Sequence, residues 1–164
     1  MIAGMAVTNA ELLRQHPLLA RLSIEQVLRF AQAGELELFH AGEDIVVEGS
    51  LGDALYLILS GAAAVHVGAA ADTRPLATLK PGEFFGEMSL VEPAVRSATV
   101  RATDVTEVFR VPHYALSNLL EDDPVVLHLV LVTIIRVLSK RLRDTNSLVG
   151  SVEKLSEWLA SSMI

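Results

Sequence analysis

The sequence predicts a mainly β fold with flanking helices, and three observations lead to that class. Between Leu36 and about Val111, short alternating or β-branched runs recur every ~10 residues, separated by Gly, Pro, Asp and Ser. Segments with helical periodicity stand on both sides of this region. The chain has 164 residues and is 51% hydrophobic, which suits one compact domain with a short appendage. An antiparallel sandwich or barrel satisfies all three observations.

The N-terminal segment, residues 1–34, is predicted to be helical. A break at residues 16–17 separates a first helix from a second one, for which Ser23 and Gln26 form a capping box. Gly34 marks the expected end of the second helix. This segment therefore precedes the β region as a separate helical part of the fold.

The β region, residues 35–123, contains seven predicted strands, which are three to six residues long and are separated by turn residues. The seven runs are ELELF (35–39), EDIVVE (43–48), LYLIL (55–59), AAVHV (63–67), ATL (77–79), ATVRA (98–102) and TEVFRV (106–111). A short predicted helix, PHYALSNLLED, completes the region.

A long C-terminal helix is predicted to begin at Pro124, because proline favours the first turn, and to run to about Val149. Gly150 is expected to interrupt it, and Ser151 to cap a last short helix within residues 124–164. The apolar positions step by three or four residues and form a seam: Leu127, Leu131, Ile134, Leu138, Leu142, Thr145 and Leu148. This seam predicts a homodimer through the helix, and packing on the chain's own barrel is the alternative.

Composition argues against several chemical functions. The absence of cysteine excludes disulfides, thiol nucleophiles and cysteine-held iron–sulfur clusters. The five histidines lack metal-ligand spacing, so we expect no metal and no haem. Ser89 and Ser97 have no histidine or aspartate partner in a triad pattern, and we therefore expect no enzyme activity.

The charge distribution restricts the binding partners. The first 124 residues hold 17 acidic and 8 basic residues, and such a surface repels nucleic acid and anionic membranes. The basic cluster Lys140, Arg141 and Arg143 is expected to form a solvated helix face. The N-terminus lacks a basic signal-peptide region, and the longest apolar run, residues 125–135, is shorter than the ~20 residues of a spanning helix. We therefore expect a soluble cytoplasmic chain that binds any anion in a specific pocket.

One stretch has the residues for such a pocket, FGEMSLVEPAVRSATV at residues 85–100. Gly86 and Glu87 are predicted to begin a helical turn whose free N–H groups attract an anion. Arg96 and Ser97 return on the next strand and supply two further donors. Glu87 would repel a phosphate, so we expect it to accept a hydrogen bond from a sugar hydroxyl instead. A nucleotide satisfies both requirements.

This stretch resembles the phosphate-binding cassette of the cyclic nucleotide-binding domain family, which is shared by bacterial catabolite activators, protein kinase A regulatory subunits and nucleotide-gated channels. The upstream segment EGSLGDALYLILSG, residues 48–61, resembles the hairpin signature of the same family. The resemblance covers roughly residues 16–146. It implies a double-stranded β-helix, or jelly-roll barrel, of eight strands with N-terminal helices and a long C-terminal helix.

The resemblance implies a role for each cassette residue within residues 82–100. Glu87 would bind the ribose 2′-hydroxyl, Arg96 the cyclic phosphate, and Ser97 a phosphate or base atom. Further ligand-binding residues of the cassette would be Gly86, Met88, Ser89 and Ala98. Because serine follows the arginine, we expect cyclic AMP (cAMP) in preference to cyclic GMP (cGMP), although a hydroxyl there can also contact the guanine amino group. The C-terminal helix would cover the base with Arg141, Leu138 or Leu142, and the sequence does not choose among them.

The predicted function is therefore a cyclic nucleotide-binding regulatory module, a freestanding homodimer that signals to an unknown protein effector through its C-terminal helices. A ligand-independent dimerisation module on the same barrel is one alternative, in which Glu87 and Arg96 form a mutual salt bridge. A transcription regulator of the catabolite activator type without its DNA-binding domain is another. Regulators of that type continue into a helix-turn-helix domain, for which the residues up to Ile164 leave no room.

Overall fold

The computed structural model describes residues 9–68, 75–91 and 94–162 of the chain. Residues 9–13 are helical, and helix α1 (Ile24–Gln32) follows. The predicted capping box of α1 is confirmed, because the Ser23 hydroxyl accepts from the Gln26 amide and the Gln26 side chain accepts from the Ser23 amide. The chain divides into two compact units, Met1–Leu129 and Val130–Ile164.

The first unit contains two antiparallel sheets of four strands each, which confirms the mainly β fold with flanking helices. The strands are β1 (Glu35–Phe39), β2 (Asp44–Val46), β3 (Ala54–Ser60), β4 (Ala63–His66), β5 (Ala77–Leu79), β6 (Phe84–Phe85), β7 (Thr99–Ala102) and β8 (Thr106–Pro112). Their orders are β1-β8-β3-β6 and β2-β7-β4-β5. Each of the seven predicted runs overlaps one of these strands. Strand β6 escaped prediction because two residues are too short to show alternation.

The core lies between the inward faces of the two sheets, since successive strand residues point to opposite faces. One buried cluster draws on both sheets and consists of Ile45, Val46, Ala54, Tyr56, Ile58, Ala63, Leu79, Phe85, Val100 and Val108. Each large apolar side chain in such a core contributes about 1.5–3 kcal/mol through burial. The cluster therefore gives the sheets a rigid support for polar residues at their edges.

The register of β3 determines which segments meet at one end of the first sheet. Tyr56 on β3 pairs with Phe85 on β6, immediately before Gly86. On its other side, Ala54 pairs with Pro112, the last residue of β8. The beginning of β3 therefore lies between the predicted cassette and the helix that follows β8.

Further helices accompany the strands. Helix α2 (Met88–Val91) lies between β6 and β7, and helices α3 (His113–Asp122) and α4 (Pro124–Ser162) follow β8. The prediction that Pro124 begins the long helix is confirmed, and Asp123 caps it by accepting from the Val125 and Val126 amides at 3.0 and 3.1 Å. Among the described residues, no helix combines the length and apolar character that a membrane span requires.

The predicted interruption of the long helix at Gly150 is wrong. Helix α4 continues through Gly150, and the Ser151 hydroxyl donates to the Ser147 carbonyl at 2.8 Å instead of capping a new helix. A glycine in a helix interior costs only about 1 kcal/mol relative to alanine. That cost does not break a helix of 39 residues.

Candidate functional site

The turn between β6 and α2 is built around Gly86, whose φ of +87° lies in the left-handed region that favours glycine. A Cβ atom at Gly86 would lie 2.5 Å from the Ala54 carbonyl oxygen and 2.7 Å from Arg96 Nη1. Glycine therefore allows the backbone to approach both the beginning of β3 and the Arg96 guanidinium. Glu87 follows, and its carbonyl accepts from the Leu90 amide at 3.1 Å, which forms the predicted turn.

Two oppositely charged cassette residues are buried at this end of the barrel. Glu87 is 5% exposed and Arg96 is 7% exposed. Removing a charged group from water costs several kcal/mol unless partners compensate it. The geometry thus brings Gly86 and Arg96 into direct proximity and keeps Glu87, the next residue, out of solvent.

Arg96 has incomplete hydrogen bonding for a buried guanidinium. Its Nη2 donates to the Ala54 carbonyl at 2.9 Å and lies 3.7 Å from Asp53 Oδ1, a long distance for an ion pair. Its Nε is buried and has no hydrogen-bond partner. The guanidinium carbon lies 5.6 Å from the centroid of the Tyr56 ring, which stacks on Phe85 at 4.9 Å. Arg96 is therefore held in place while one of its donors remains unsatisfied.

The two sequence motifs are joined through their backbones. The Arg96 amide donates to the Ser50 carbonyl at 2.7 Å, and the Gly49 amide donates to the Arg96 carbonyl at 2.8 Å. Leu51 and Val95 form an isolated antiparallel bridge between the same segments. These backbone contacts with the upstream hairpin fix the position of the Arg96 backbone.

Asp53 and Arg110 extend the charged site and were missed by sequence reasoning. Arg110 Nη2 donates to Asp53 Oδ2 at 2.8 Å, and its guanidinium also lies 3.5 Å from Glu35 and 3.8 Å from Glu37. Burial raises the pKa of Glu37, with Arg110 opposing that change. Burial also raises the pKa of the Tyr56 hydroxyl beside Arg110. Asp53 lies inside the hairpin motif, which is the one signal that could have identified it.

His113 connects the cassette with helix α3. Its Nε2 lies 3.3 Å from the Gly86 carbonyl oxygen, and its backbone amide donates to the Asp53 carbonyl at 2.8 Å. Burial lowers the pKa of His113, although the hydrogen bond to Gly86 opposes this. Nothing in the sequence pattern indicated this contact, because residues 86 and 113 lie on separate elements.

His16 supports the segment that leads into the cassette. It is 4% exposed, and its Nδ1 accepts from the Leu18 amide at 3.2 Å. Nε2 therefore carries the proton of the neutral ring, and it donates to the Glu83 carbonyl at 3.2 Å. Burial lowers the pKa of His16. The sequence had indicated only a helix break at this position.

The other predicted site residues differ in their exposure. Met88 is 66% exposed, Ser97 is exposed and Ala98 is half-buried. The side chain of Ser89 lies outside the described residues. Arg141 lies on α4 in the second unit, and its role over a base stays a prediction. Within the described ranges, no group of three histidine or acidic residues is arranged to hold a metal ion.

Helix α2 contains only four residues, so its first N–H groups carry little of the helix dipole that the sequence predicted for an anion. Arg96 would therefore have to supply most of the attraction for an anion here.

Comparison with known proteins gives a family and several relatives. A family model described as the cyclic nucleotide-binding domain matches residues 36–123. The cyclic AMP receptor protein of Thermus thermophilus is 37% identical over 136 residues, and the match covers 79% of this chain and 59% of that protein. The cAMP-dependent protein kinase regulatory subunit of Emericella nidulans is 34% identical over 108 residues, covering 66% of this chain and 26% of that protein. The chain thus spans less than two thirds of either relative.

A solved structure shares both fold and sequence with the chain. The N-terminal domain of a transcriptional regulator from Streptomyces coelicolor superposes with a TM-score of 0.65 at 31% identity. The superposition covers 83% of this chain and 95% of that domain. The fold of two antiparallel sheets with flanking helices therefore has a known precedent.

Proposed function

The chain belongs to the cyclic nucleotide-binding domain family, and on this premise we propose that it is a regulatory module that binds cyclic AMP in preference to cyclic GMP. The observation that carries the proposal is the buried Arg96, whose Nε has no hydrogen-bond partner and whose acidic neighbour Asp53 is 3.7 Å away. A buried donor without a partner costs about 1–3 kcal/mol. An anionic ligand at this position recovers that energy with a charge-assisted hydrogen bond.

Arg96 is the proposed partner of the cyclic phosphate. Its Nη2 already donates to Ala54, whereas its buried Nε has no partner and can offer a hydrogen bond. The positive φ and missing side chain of Gly86 leave the guanidinium accessible to the cassette backbone. The phosphate would therefore bind at the edge of the Arg96 guanidinium, beside the turn at Gly86.

Glu87 is the proposed partner of the ribose 2′-hydroxyl, because an ionised carboxylate can only accept hydrogen bonds and a hydroxyl donates one. Ser97 is exposed next to Arg96 and offers a hydroxyl to the phosphate or the base. The preference for cyclic AMP is supported by this serine and by the two relatives that are named for cyclic AMP.

Calorimetric titration with both nucleotides tests the proposal. We expect cyclic AMP to bind more tightly than cyclic GMP. The 2′-deoxy analogue of cyclic AMP should bind about 1.5–3 kcal/mol more weakly, the usual contribution of a hydrogen bond to a charged group. Glu87→Gln should reduce that difference, and Leu76→Gln, a change at an exposed barrel residue, should not.

The opposite results are equally informative. Equal affinity for the ribose and deoxyribose forms in the wild type would reject the role of Glu87. Absence of binding to either nucleotide would reject the proposed function and favour the ligand-independent dimerisation module.

We further propose that the module is a homodimer that signals through helix α4. Leu142 is 61% exposed and Leu148 is 68% exposed, and both belong to the apolar seam predicted from the sequence. Two copies of such a helix bury these side chains against each other. If the two helices can adopt two arrangements, a ligand shifts the equilibrium between them only to the extent that it binds one arrangement more tightly than the other.

Light scattering with and without cyclic AMP tests the dimer. The double variant Leu142→Asp and Leu148→Asp places like charges in the seam and should be a monomer. Leu76→Asp, which adds a charge at a 74% exposed position of the barrel, should leave the dimer intact. A wild type that stays monomeric at micromolar concentration in both conditions refutes the dimer.

A further inference from the structure

We propose that His113 is a further residue of the nucleotide site, which holds the cassette through the Gly86 carbonyl and takes up a proton when the cyclic phosphate binds. This inference rests on the proposed function, because it assigns a second cation to the same phosphate position. It adds to that function a dependence of affinity on pH.

The contacts of His113 allow it to gain a proton without losing its position. A carbonyl oxygen only accepts, so His113 Nε2 must carry a proton to bond to Gly86 at 3.3 Å. Protonation of the ring therefore occurs at Nδ1 and leaves the bond to Gly86 intact. The backbone of His113 is fixed independently through its amide, which donates to the Asp53 carbonyl at 2.8 Å.

The charges around His113 disfavour its protonated form before a ligand arrives. Half-burial lowers its pKa, and Arg96 on the cassette segment and Arg110 on β8 act in the same direction. Asp53, at the entry to β3, and the bond to Gly86 oppose them. His113 is also the first residue of α3, a helix of ten residues whose positive end disfavours a cation. These influences together favour the neutral ring, and one of them, Arg96, is the proposed partner of the phosphate.

An anion bound to Arg96 reverses this balance. Its negative charge offsets the repulsion from Arg96 and attracts the imidazolium, so the pKa of His113 rises on binding. The complex then holds more protons than the free protein between the two pKa values. By linkage, affinity increases as pH falls through the pKa of the complex, and it becomes constant below the pKa of the free protein.

Calorimetry of the full chain with cyclic AMP measures this proton directly. At each of pH 5.5, 6.5 and 7.5, the titration is performed in two buffers that differ in ionisation enthalpy. We expect an uptake of between zero and one proton per site with a maximum inside this range. The dissociation constant should fall about threefold to tenfold from pH 8 to pH 5.5, since one pKa unit of difference corresponds to a factor of ten.

Two substitutions locate the proton. His113→Gln keeps an amide donor for the Gly86 carbonyl but has no titratable side chain. Binding of cyclic AMP should weaken, the proton uptake should disappear, and the dissociation constant should no longer change between pH 8 and pH 5.5. His40→Gln changes an exposed histidine at the end of β1 and should retain the wild-type uptake. Persistence of the uptake in His113→Gln would overturn the inference.

The remaining outcomes separate this inference from the function on which it rests. Binding of cyclic AMP without proton uptake in the wild type overturns the role of His113 and leaves the proposed function intact. Absence of binding rejects the function itself. If His113→Gln does not fold, the ring resonances of His113 in the wild type decide by NMR, because its pKa should be higher in the complex. An equal pKa in both states overturns the inference.

Discussion

Two arginines five positions apart in the chain differ in how completely their guanidinium groups are paired. Arg101 on β7 makes two hydrogen bonds to Asp44, at 2.6 and 3.1 Å, and both side chains are about one third exposed, at 32% and 30%. The Arg96 side chain is only 6% exposed, yet it lies 3.7 Å from Asp53, whose side chain is 63% exposed. The solvated arginine thus has a well-formed bidentate partner, and the buried one has a poor one.

This contrast separates an arginine that joins two strands from the arginine proposed to bind the phosphate. A bidentate pair such as that of Arg101 and Asp44 fixes two strands, β7 and β2, to each other. A buried guanidinium with an unsatisfied Nε gains less from its contacts within the fold, and under the proposed function its free donor is available to an anion. The two arginines therefore predict opposite effects of substitution on stability and on binding.

The largest expected effect comes from exchanging the two arginines for alanine one at a time. Arg96→Ala should weaken binding of cyclic AMP by about 2–5 kcal/mol, the usual loss when one partner of a buried charge pair is removed. Arg101→Ala is the matched control and should change binding by less than about 0.5 kcal/mol. Calorimetry on both folded variants measures the two effects. Equal losses of affinity in the two variants would end the distinction between them.

A pair of glycines sharpens the same comparison. Gly86 in the cassette and Gly68 after β4 both have positive φ angles, +87° and +83°. A Cβ at Gly68 meets no atom within 4 Å, so Gly68→Ala should cost only the ~1–2 kcal/mol of a left-handed backbone. Gly86→Ala adds a clash with Ala54 and Arg96. It should therefore cost more stability and also weaken ligand binding.

Urea unfolding of both variants, followed by calorimetry with cyclic AMP, compares the two glycines. The informative quantity is the difference between Gly86→Ala and Gly68→Ala, because the backbone contribution cancels. If both variants lose the same stability and keep wild-type affinity, the close approach at Gly86 has no functional role.

The smallest expected effect is a difference in acid sensitivity between the cassette and the second sheet. Burial lowers the pKa of His16 below its usual value of 6.5. Above pH 6.5 the ring is neutral in both the folded and the unfolded chain, and the free energy of unfolding is at its full value. As the pH falls below 6.5, the unfolded chain takes up the proton first and the folded state loses stability. The hydrogen bond from Arg101 lowers the pKa of Asp44 below 3.8, so its contribution persists until the pH falls below 3.8. Between pH 7.5 and 5, the cassette side should therefore weaken first.

The free energy of unfolding in urea at pH 7.5 and pH 5 tests this order. His16→Gln should lose less stability than the wild type between pH 7.5 and pH 5. The difference between the two losses should be about 1.4 kcal/mol for each unit by which burial lowers the pKa of His16. Asp44→Asn should lose as much as the wild type. The same pH dependence in the wild type and in His16→Gln would contradict the assignment to His16.

The sequence allowed prediction of the fold wherever a local pattern was long enough. The capping box at Ser23 and the start of α4 at Pro124 were predicted because their signals lie within one helical turn. The continuation of α4 through Gly150 was not, because propensity is a weak constraint inside a long helix. Strand β6 was missed because two residues carry no period.

The site divides in the same way between local and distant signals. Gly86, Glu87 and Arg96 lie within one motif, and their spacing was enough to predict them as site residues. His113 and His16 reach the same region by contacts that span 27 and 67 residues of chain. A single sequence has no signal for such contacts, because they depend on the register of β3 with its two neighbours.

The stacking of Tyr56 on Phe85 gives the protein an optical reporter beside the proposed binding site. The chain has two tyrosines and one tryptophan, and Tyr56 is 6% exposed while Tyr114 is 74% exposed. An immobilised phenol beside a parallel ring and a guanidinium produces strong near-ultraviolet circular dichroism, whereas a freely rotating one produces little. With Trp158 replaced by phenylalanine, the tyrosine dichroism therefore reports mainly on the surroundings of Arg96. Occupancy of the site can then be followed without any label.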